Sequence, residues 1–343
     1  MLKDFLKELI EASGLSGYED ELSNIAEKYF INYSDDVIRD KMGNLVVLKK
    51  GSSKEPKKIM LAAHMDEIGL MVKKIDDKGF IQFTNIGGVD QRTILSQEVI
   101  VHGEKDLFGV IGSKPPHILK EEERKKAIKM EDMLIDLGLS KEEVEKQISV
   151  GDPISFRRKM LNLQGDVVAG KSLDNRAGVA VLYECLKELD KMNHDCDIYA
   201  VCTVQEEVGL RGAITSTYDI FPDIGIAIDV GFAHTPELQK DETSQLNKGP
   251  VIAYGANIHR KVHERFMEVA KEYNIPHQED VNPAETGTDA WAMQVTQCGV
   301  ATGLLSIPLR YMHTSVETVN INDIKNTGKL LAYFIMSLNA EDL

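Results

Sequence analysis

The sequence lacks the features that would place the protein in a membrane or on nucleic acid. No run approaches the roughly 18 consecutive apolar residues of a membrane-spanning helix, and residues 1–10 alternate charged with apolar side chains instead of forming a signal peptide. The 343-residue chain carries 40 basic against 55 acidic residues, a formal net charge of −15. This balance argues against nucleic acid and anionic membranes as partners, and we expect a cytoplasmic protein.

Cysteine and aromatic residues are scarce. Aromatic residues make up 6% of the chain, and the four cysteines show no CxxC spacing of the kind found in structural zinc sites. They lie in apolar or mixed helix and strand segments, which predicts buried free thiols rather than disulfides or metal ligands. These residues are Cys185, Cys196, Cys202 and Cys298.

The length and the order of apolar segments predict two domains. Apolar strands alternate with amphipathic helices in residues 1–70 and 163–343, which indicates an α/β domain with a sheet covered by helices on both faces. Residues 71–162 instead contain short strands divided by Gly, Asp and Lys turns, the pattern of a small β-barrel or sandwich. Within this insertion, the highly charged residues 120–145 are typical of a solvated helix face.

Histidines and carboxylates stand where predicted strands end, at a helix start and in one late loop. In open α/β sheets, ligands collect at the carboxyl ends of the strands, so these distant segments can converge. Mixed imidazole and carboxylate sets suit zinc or a similar divalent metal, which indicates hydrolytic metal chemistry. The residues are His64, Asp174, the adjacent Glu206 and Glu207, Asp229 and His313.

Spacing within two of these motifs suggests separate roles for their members. His64 and Asp66 are two residues apart, so in extended chain they share a face and Asp66 can orient the imidazole. Glu206 and Glu207 are adjacent, so in extended chain they point to opposite sides. One can bind metal while the other accepts a proton from the attacking water.

A charge count favours a pair of ions. Two divalent ions carry four positive charges, which Asp174, Glu207, Asp229 and a bridging hydroxide would balance. Asp174 could bridge the ions, with His64 and Asp229 completing one site. Glu207 and His313 would then complete the other.

Other polar residues have weaker functional patterns. Residues 287–290, Gly-Thr-Asp-Ala, predict either a helix cap made by Thr288 or Asp289 or a substrate contact, and both interpretations stay open. Most of the remaining histidines lie in turns or charged stretches, which favours surface or packing roles. They are His102, His117, His194, His234, His259, His263 and His277.

Taken together, these motifs resemble those of the TET aminopeptidases, also called the glutamyl aminopeptidase or cellulase-M family of co-catalytic zinc metallopeptidases. One departure is Asn175 after Asp174, where Asp is as readily expected. The matching stretches extend from the first quarter of the chain to near its end: residues 63–69 (AHMDEIG), 172–176 (SLDNR), 205–209 (QEEVG), 229–230 (DV), 287–290 (GTDA) and 310–314 (RYMHT).

The resemblance implies a zinc-peptidase-like catalytic domain and an inserted domain that serves dimerisation, often within a hollow tetrahedral dodecamer. It implies peptide substrates, two zinc or cobalt ions per subunit, Glu206 as the general base and Asp66 as the residue that orients His64. The implied metal ligands are His64, Asp174 as the bridge, Glu207, Asp229 and His313.

Three other functions deserve comparison with an aminopeptidase. A deacylase or amidohydrolase acting on N-acyl amino acids could use the same metal centre. An endoglucanase would need two carboxylates flanking the glycosidic bond but neither the histidines nor a metal. A non-catalytic metal-binding assembly protein would keep the ligands but would not need Glu206 beside Glu207.

Overall fold

The computed structural model describes residues 1–118 and 120–338. The strands of this part of the chain are, in order, β1 (Asp36–Arg39), β2 (Leu45–Lys49), β3 (Lys58–His64), β4 (Gly69–Ile75), β5 (Ile81–Ile86), β6 (Glu98–His102), β7 (Asp106–Gly112), β8 (Leu134–Asp136), β9 (Pro153–Phe156), β10 (Leu161–Asn162), β11 (Val167–Gly170), β12 (Asp197–Thr203), β13 (Ile224–Phe232), β14 (Val251–Gly255), β15 (Gln278–Asn282), β16 (Ala301–Arg310) and β17 (Glu317–Asn320). The α-helices are α1 (Leu2–Glu11), α2 (Asp20–Phe30), α3 (Gln91–Ile94), α4 (Glu121–Arg124), α5 (Lys141–Glu145), α6 (Leu173–Leu189), α7 (Arg211–Ile220), α8 (Arg260–Glu272), α9 (Asp289–Gln294) and α10 (Ile321–Met336).

A large mixed sheet forms the centre of the molecule. Its order is β1-β2-β12-β3-β13-β16-β17-β11-β10, with β14 and β15 attached beside β16. Strands β12, β3, β13 and β16 run parallel to one another, whereas β2 pairs antiparallel with β12 and β17 pairs antiparallel with β16. The parallel strands therefore bring their carboxyl ends to one edge, where ligands of α/β proteins collect.

Helices cover both faces of this sheet, as the sequence predicts. Along β3, Ile59 and Leu61 join an apolar core with α1, α6 and α10. The intervening Met60 and Ala62 pack on the opposite face with α7 and α9. Successive residues of a strand point to opposite faces, so a continuously apolar strand fits a position buried on both sides. The predicted α/β class is confirmed.

The second structural unit is a closed barrel of strands β4-β5-β8-β7-β6-β9. Its interior is filled by apolar side chains that include Leu70, Val99 and Ile154, all fully buried. These strands lie between Gly69 and Phe156, so the barrel begins two residues before the predicted insertion of residues 71–162. A barrel leaves no free strand edge among its members, which allows such short strands to form a stable unit.

One local prediction is wrong, and the prediction of buried free cysteines holds for three of the four residues. Residues 120–145 are not one solvated helix face: β8 interrupts them, and Met133 and Ile135 point into the barrel core. Their alternation at a period of two residues is the strand signal that the surrounding charges obscured. Cys185, Cys196 and Cys202 are buried, but Cys298 is exposed because it lies in the turn between α9 and β16.

No helix within residues 1–118 and 120–338 combines the length and the apolar character needed to cross a membrane.

Candidate active site

Two of the predicted site residues come from neighbouring parallel strands. His64 is the last residue of β3. Asp229 belongs to β13, which pairs with β3 only over Ile224–Ala227. The strand continues to Phe232, so Asp229 is not at a strand end as predicted. It nevertheless lies just beyond the part of β13 that β3 covers, which places its carboxylate beside His64.

The other predicted residues come from turns and loops. Asp174 lies in the first turn of α6, where the backbone is not yet helical. Glu206 and Glu207 lie in a turn after β12, because Gln205 adopts a positive φ of 55° and ends the extended chain. The prediction that the two glutamates alternate sides of an extended segment is therefore wrong. His313 lies in the loop between β16 and β17.

The Asp174 carboxylate lies between the two histidines. Its Oδ1 is 3.2 Å from Nε2 of His64, and its Oδ2 is 3.4 Å from Nε2 of His313. On the first side, Asp229 Oδ1 is 3.9 Å from His64 Nε2. On the second side, Glu207 Oε1 is 3.5 Å from His313 Nε2.

These contacts form two groups that share Asp174. His64, Asp174 and Asp229 could hold one metal ion, and Asp174, Glu207 and His313 could hold another. A further group takes His64 with Glu206 and Glu207, because Glu206 Oε2 is 3.8 Å from His64 Nε2. Among the described residues, no other histidine takes part in such a group.

Asp66 is fully buried and contacts both His64 and the turn that carries Glu206 and Glu207. Its Oδ1 is 3.4 Å from Nδ1 of His64, on the ring side opposite Asp174. Its two oxygens also accept hydrogen bonds from the backbone N–H groups of Glu206 at 3.0 Å and Glu207 at 3.2 Å. The side chain of Ser16 donates another at 2.6 Å. The predicted contact with His64 is present. The hydrogen bonds from the backbone of Glu206 and Glu207 were not predicted.

Burial and mutual repulsion perturb the acidic groups of this site. Burial, aided by the charges of Asp229 and Asp289, raises the pKa of Glu206 to about 9. Burial and the neighbouring Asp174 raise the pKa of Glu207 to about 7, and burial raises the pKa of Asp229 well above its usual range. Carboxylates held this close and this far from water need a compensating positive charge.

The histidines respond in the opposite sense. Burial alone would lower the pKa of His64, but the charge of Glu206 and hydrogen bonding to Asp174 raise it well above the usual value. Hydrogen bonding to Asp174 raises the pKa of His313 to about 9. The cluster therefore has oxygen and nitrogen donors with an excess of negative charge. This donor set fits divalent first-row metal ions.

The sequence did not single out Glu317, which ties two of these segments together. Its Oε2 accepts a hydrogen bond from the backbone N–H of Asp174 at 3.0 Å, and its Oε1 accepts one from the N–H of His313 at 2.9 Å. Burial and the charge of Asp174 raise its pKa well above the usual range. The only available signal was an acidic residue opening a buried strand four positions after His313.

A network of buried ion pairs behind the site was also not predicted from the sequence. Glu67 Oε2 is 2.6 Å from Nζ of Lys171, and Glu67 Oε1 is 3.1 Å from Nη2 of Arg176. Ser172 donates a further hydrogen bond to Glu67. Arg176 also donates to the backbone carbonyls of Leu9, Ala12 and Met65. The network therefore joins α1 to the segments that carry His64 and Asp174.

Asn175, the departure from the expected motif, uses both ends of its amide. Its Nδ2 donates to the carbonyl of Ile228 at 2.7 Å, and its Oδ1 accepts from the N–H of Gly178 at 3.1 Å. An aspartate here could not donate to Ile228. The amide thus holds the start of α6 against β13, beside Asp229.

The Gly-Thr-Asp-Ala segment begins α9, as predicted, with Thr288 as its N-cap residue. No cap hydrogen bond from the Thr288 side chain is present, which removes the predicted capping role for that hydroxyl. Asp289 is buried and accepts a hydrogen bond from Thr203 at 2.6 Å. Its Oδ1 has no hydrogen-bond partner within residues 1–118 and 120–338.

A cavity of about 420 Å³ opens from these groups. His64, Asp174, Glu206, Asp229 and His313 line one end of it. The walls are partly apolar and partly polar and include residues of β13, β14, β15 and the 286–288 segment. A cavity of this size has room for an amino-acid side chain together with a peptide bond beside the carboxylate cluster.

Known proteins are similar to this chain. The model of the M42 glutamyl aminopeptidase family matches residues 43–330. The chain belongs to this family. The lysyl aminopeptidase of Pyrococcus furiosus is 38% identical to it over 99% of this chain and 98% of that protein.

Solved structures of aminopeptidases are also similar to this chain. Aminopeptidase APDkam598 of the archaeon Desulfurococcus kamchatkensis is 40% identical, with a TM-score of 0.91 over 98% of this chain and 95% of that one. The TET1 peptidase of Pyrococcus horikoshii, described as able to assemble into a tetrahedron or a large octahedral shell, is 32% identical. Its TM-score is 0.86 over 98% of this chain and 100% of that chain. The resemblance to TET peptidases is confirmed, and membership of M42 supports an aminopeptidase of the metallopeptidase type.

Proposed function

We propose that this protein is a metal-dependent aminopeptidase that releases N-terminal residues from peptides and uses two divalent ions per chain. The observation that carries the proposal is the Asp174 carboxylate, which offers one oxygen to the side of His64 and the other to the side of His313. Each histidine has a further carboxylate beside it, Asp229 in one case and Glu207 in the other. This is the donor arrangement that a pair of ions with one bridging ligand requires.

The proposed ligands are His64, Asp174 and Asp229 for one ion and Asp174, Glu207 and His313 for the other. Zinc or cobalt suits these nitrogen and oxygen donors. Bound there, the ions would polarise the peptide carbonyl and promote ionisation of water. Metal analysis of protein saturated with zinc or cobalt and then desalted should approach two equivalents per chain. A plateau at one equivalent with full activity would contradict the two-ion proposal.

Glu206 is the proposed general base. Its carboxylate lines the cavity, and Asp66 fixes its backbone from behind. Without a bound cation, burial raises its pKa to about 9, so the positive charge of the two ions would be needed to keep the carboxylate ionised and able to accept a proton. Glu206 would take a proton from the attacking water and deliver it to the departing amine.

The restriction to a free N-terminus follows from the negative end of the cavity. The neutral α-amine of a substrate could be held there by an ion or by a carboxylate of the cavity lining, and this contact would place the first peptide bond at the reacting end. An internal peptide bond offers no such amine.

The cavity lining also favours particular side chains. It includes Glu242, Glu279 and Asp280, and no Lys or Arg occurs among the described residues that line the cavity. We therefore expect faster hydrolysis of lysyl than of glutamyl substrates, in agreement with the name of the Pyrococcus furiosus relative.

A substrate panel separates this proposal from its rivals. Aminoacyl amides should be hydrolysed, N-acyl amino acids should persist, and a chelator should stop the reaction. Faster release from N-acyl amino acids would favour the deacylase instead. Cellulose hydrolysis that survives the chelator would favour the endoglucanase, which needs no metal.

We also propose that the barrel mediates self-association, with a dodecamer as the expected assembly. The outward face of β7 exposes the large apolar side chains Phe108, at 64%, and Val110, at 50%. The TET1 peptidase of Pyrococcus horikoshii, which shares the fold, assembles into closed shells. Light scattering after size exclusion should give a mass of at least a dimer. Phe108→Glu should lower that mass, and a wild-type monomer at micromolar concentration would contradict the proposal.

A cytoplasmic location is the remaining part of the proposal. The four cysteines, all within the described residues, are free thiols, which suits a reducing compartment. Fractionation of cells that produce the protein, followed by immunoblotting, tests this location.

A further inference from the structure

The carbonyl oxygen of Gly88 lies 3.1 Å from Nδ1 of His313. A backbone carbonyl can only accept a hydrogen bond, so Nδ1 must carry the hydrogen in this contact. The lone pair of the neutral ring is then on Nε2, the atom that faces Asp174 and Glu207. Gly88 thus selects the tautomer of His313 that can bind a metal ion through Nε2.

Gly88 does not belong to the large sheet. It lies between β5 and α3, in the segment that forms the barrel, and it is 225 positions from His313 in the chain. The contact therefore joins the inserted barrel to a side chain of the carboxylate cluster.

The approach of this segment to the site is close. A Cβ atom added to Gly88 would be 2.9 Å from Nδ1 and 3.1 Å from Cε1 of His313. A Cβ atom added to the preceding Gly87 would be 2.8 Å from Ile68 and 3.3 Å from Cβ of Glu207. Side chains larger than hydrogen at these two positions would push on His313 and Glu207, the two residues proposed to share an ion with Asp174.

A second barrel residue holds the same loop. The hydroxyl of Ser315 donates to Oε1 of Gln97 at 3.2 Å, and Gln97 directly precedes β6. His313 is thus fixed at its ring by Gly88, at its backbone N–H by Glu317, and through its loop by Gln97. Two of these three restraints come from the barrel.

We propose that the barrel helps to form the metal centre. Gly88 and Gln97 are positioning residues for the site of one ion, the ion held by His313 and Glu207. This inference rests on the proposed two-ion function. The other ion, on His64 and Asp229, has no such restraint from Gly88 or Gln97. Loss of the barrel contacts should therefore weaken one ion selectively.

The test uses the full-length Gly88→Ala variant and measures the dissociation constants of both ions by cobalt titration against a competing chelator. The matched control is Gly112→Ala at the end of β7, where an added Cβ meets no heavy atom of the described residues within 4 Å. The visible spectrum of bound cobalt gives a second readout of His313 geometry, and thermal melting of the metal-free proteins reports on folding.

Gly88→Ala keeps the backbone carbonyl, but its added Cβ should displace the ring of His313. It should therefore weaken one ion by about 10–100-fold, the usual effect of disturbing the orientation of a metal ligand, and should alter the cobalt spectrum. The other dissociation constant, the metal-free melting temperature and the whole Gly112→Ala profile should match wild type. Unchanged binding of both ions in Gly88→Ala, or equal weakening of both, would overturn the inference.

If Gly88→Ala fails to fold, Ser315→Ala decides the question by the same two constants, because it removes only the hydroxyl that contacts Gln97. Selective weakening of one ion supports the role of the barrel, and wild-type binding overturns it. Failure of the proposed function has a different signature. In that case, the wild-type protein itself does not hydrolyse aminoacyl amides.

Discussion

The carboxylate of Asp66 accepts a hydrogen bond from the backbone N–H of Glu206 at 3.0 Å. Asp66 also lies against Nδ1 of His64, so one fully buried side chain connects the strand end that presents His64 with the turn that presents Glu206. Asp66 therefore fixes the positions of both the proposed base, Glu206, and a proposed ligand, His64. Because Asp66 holds the backbone of Glu206, the carboxylate of Glu206 can be replaced without loss of the surrounding geometry.

Glu206→Gln should lower kcat by about 10²–10⁴-fold, because it removes the proton acceptor and keeps the shape of the side chain. Bound metal, measured by elemental analysis, should stay at the wild-type level. The matched variant is Glu207→Gln, one residue along the same turn, which should release the ion proposed for His313. Loss of metal from Glu206→Gln, or near-normal turnover, would show that Glu206 is a ligand or a bystander instead of the base.

Glu317→Ala should destabilise the protein and weaken metal binding together. The substitution leaves the buried N–H of Asp174 and the partly buried N–H of His313 without an acceptor, and a buried group left in this way costs about 1–3 kcal/mol. Urea unfolding of the metal-free protein measures the first effect and metal titration the second. Glu264→Ala, on the exposed face of α8, is the control and should stay close to wild type. Wild-type stability and metal affinity in Glu317→Ala would contradict the proposed role of Glu317 in holding Asp174 and His313.

Glu67 should stabilise the fold at neutral pH and lose this effect in acid. Burial would raise its pKa, but the charges of Arg176 and Lys171 outweigh burial and lower the pKa to about 2, from 4.5. A depressed folded-state pKa gives a contribution that is complete above the ordinary value and is lost as the pH falls toward 2.

The variant Glu67→Gln leaves two buried cations without their anion, and breaking a buried pair costs about 3–5 kcal/mol. Urea unfolding at pH values from 7 down toward 2 should show the difference from wild type shrinking below about pH 4.5. Glu131→Gln, whose side chain is 71% exposed, should change the unfolding free energy by less than about 0.5 kcal/mol. A difference for Glu67→Gln that is constant across this range would contradict the assignment.

Much of the site could be predicted because strand ends are visible in the sequence. His64 closes an apolar run, and parallel strands bring their ends to one edge, so His64 and Asp229 were expected to meet. The turn at Glu206 was not predicted, since the positive φ of Gln205 gives no signal in a residue type that rarely adopts it.

The supporting contacts could not be predicted because they depend on distant packing. Glu317 reaches Asp174 across 143 positions, and Gly88 reaches His313 across 225. The same limit applies to the fold. Short strands such as β10, β11, β15 and β17 are defined by their pairing with distant partners, whereas the apolar central strands were recognisable locally.

The most direct test of the whole account compares two peptides of the same sequence, one with a free N-terminus and one N-acetylated, incubated with cobalt-loaded protein and followed by mass spectrometry. The free peptide should shorten one residue at a time from its N-terminus, while the acetylated peptide should persist and Glu206→Gln should leave both almost intact. Equal cleavage of the two peptides, or cuts inside the chain, would contradict the assignment as an aminopeptidase.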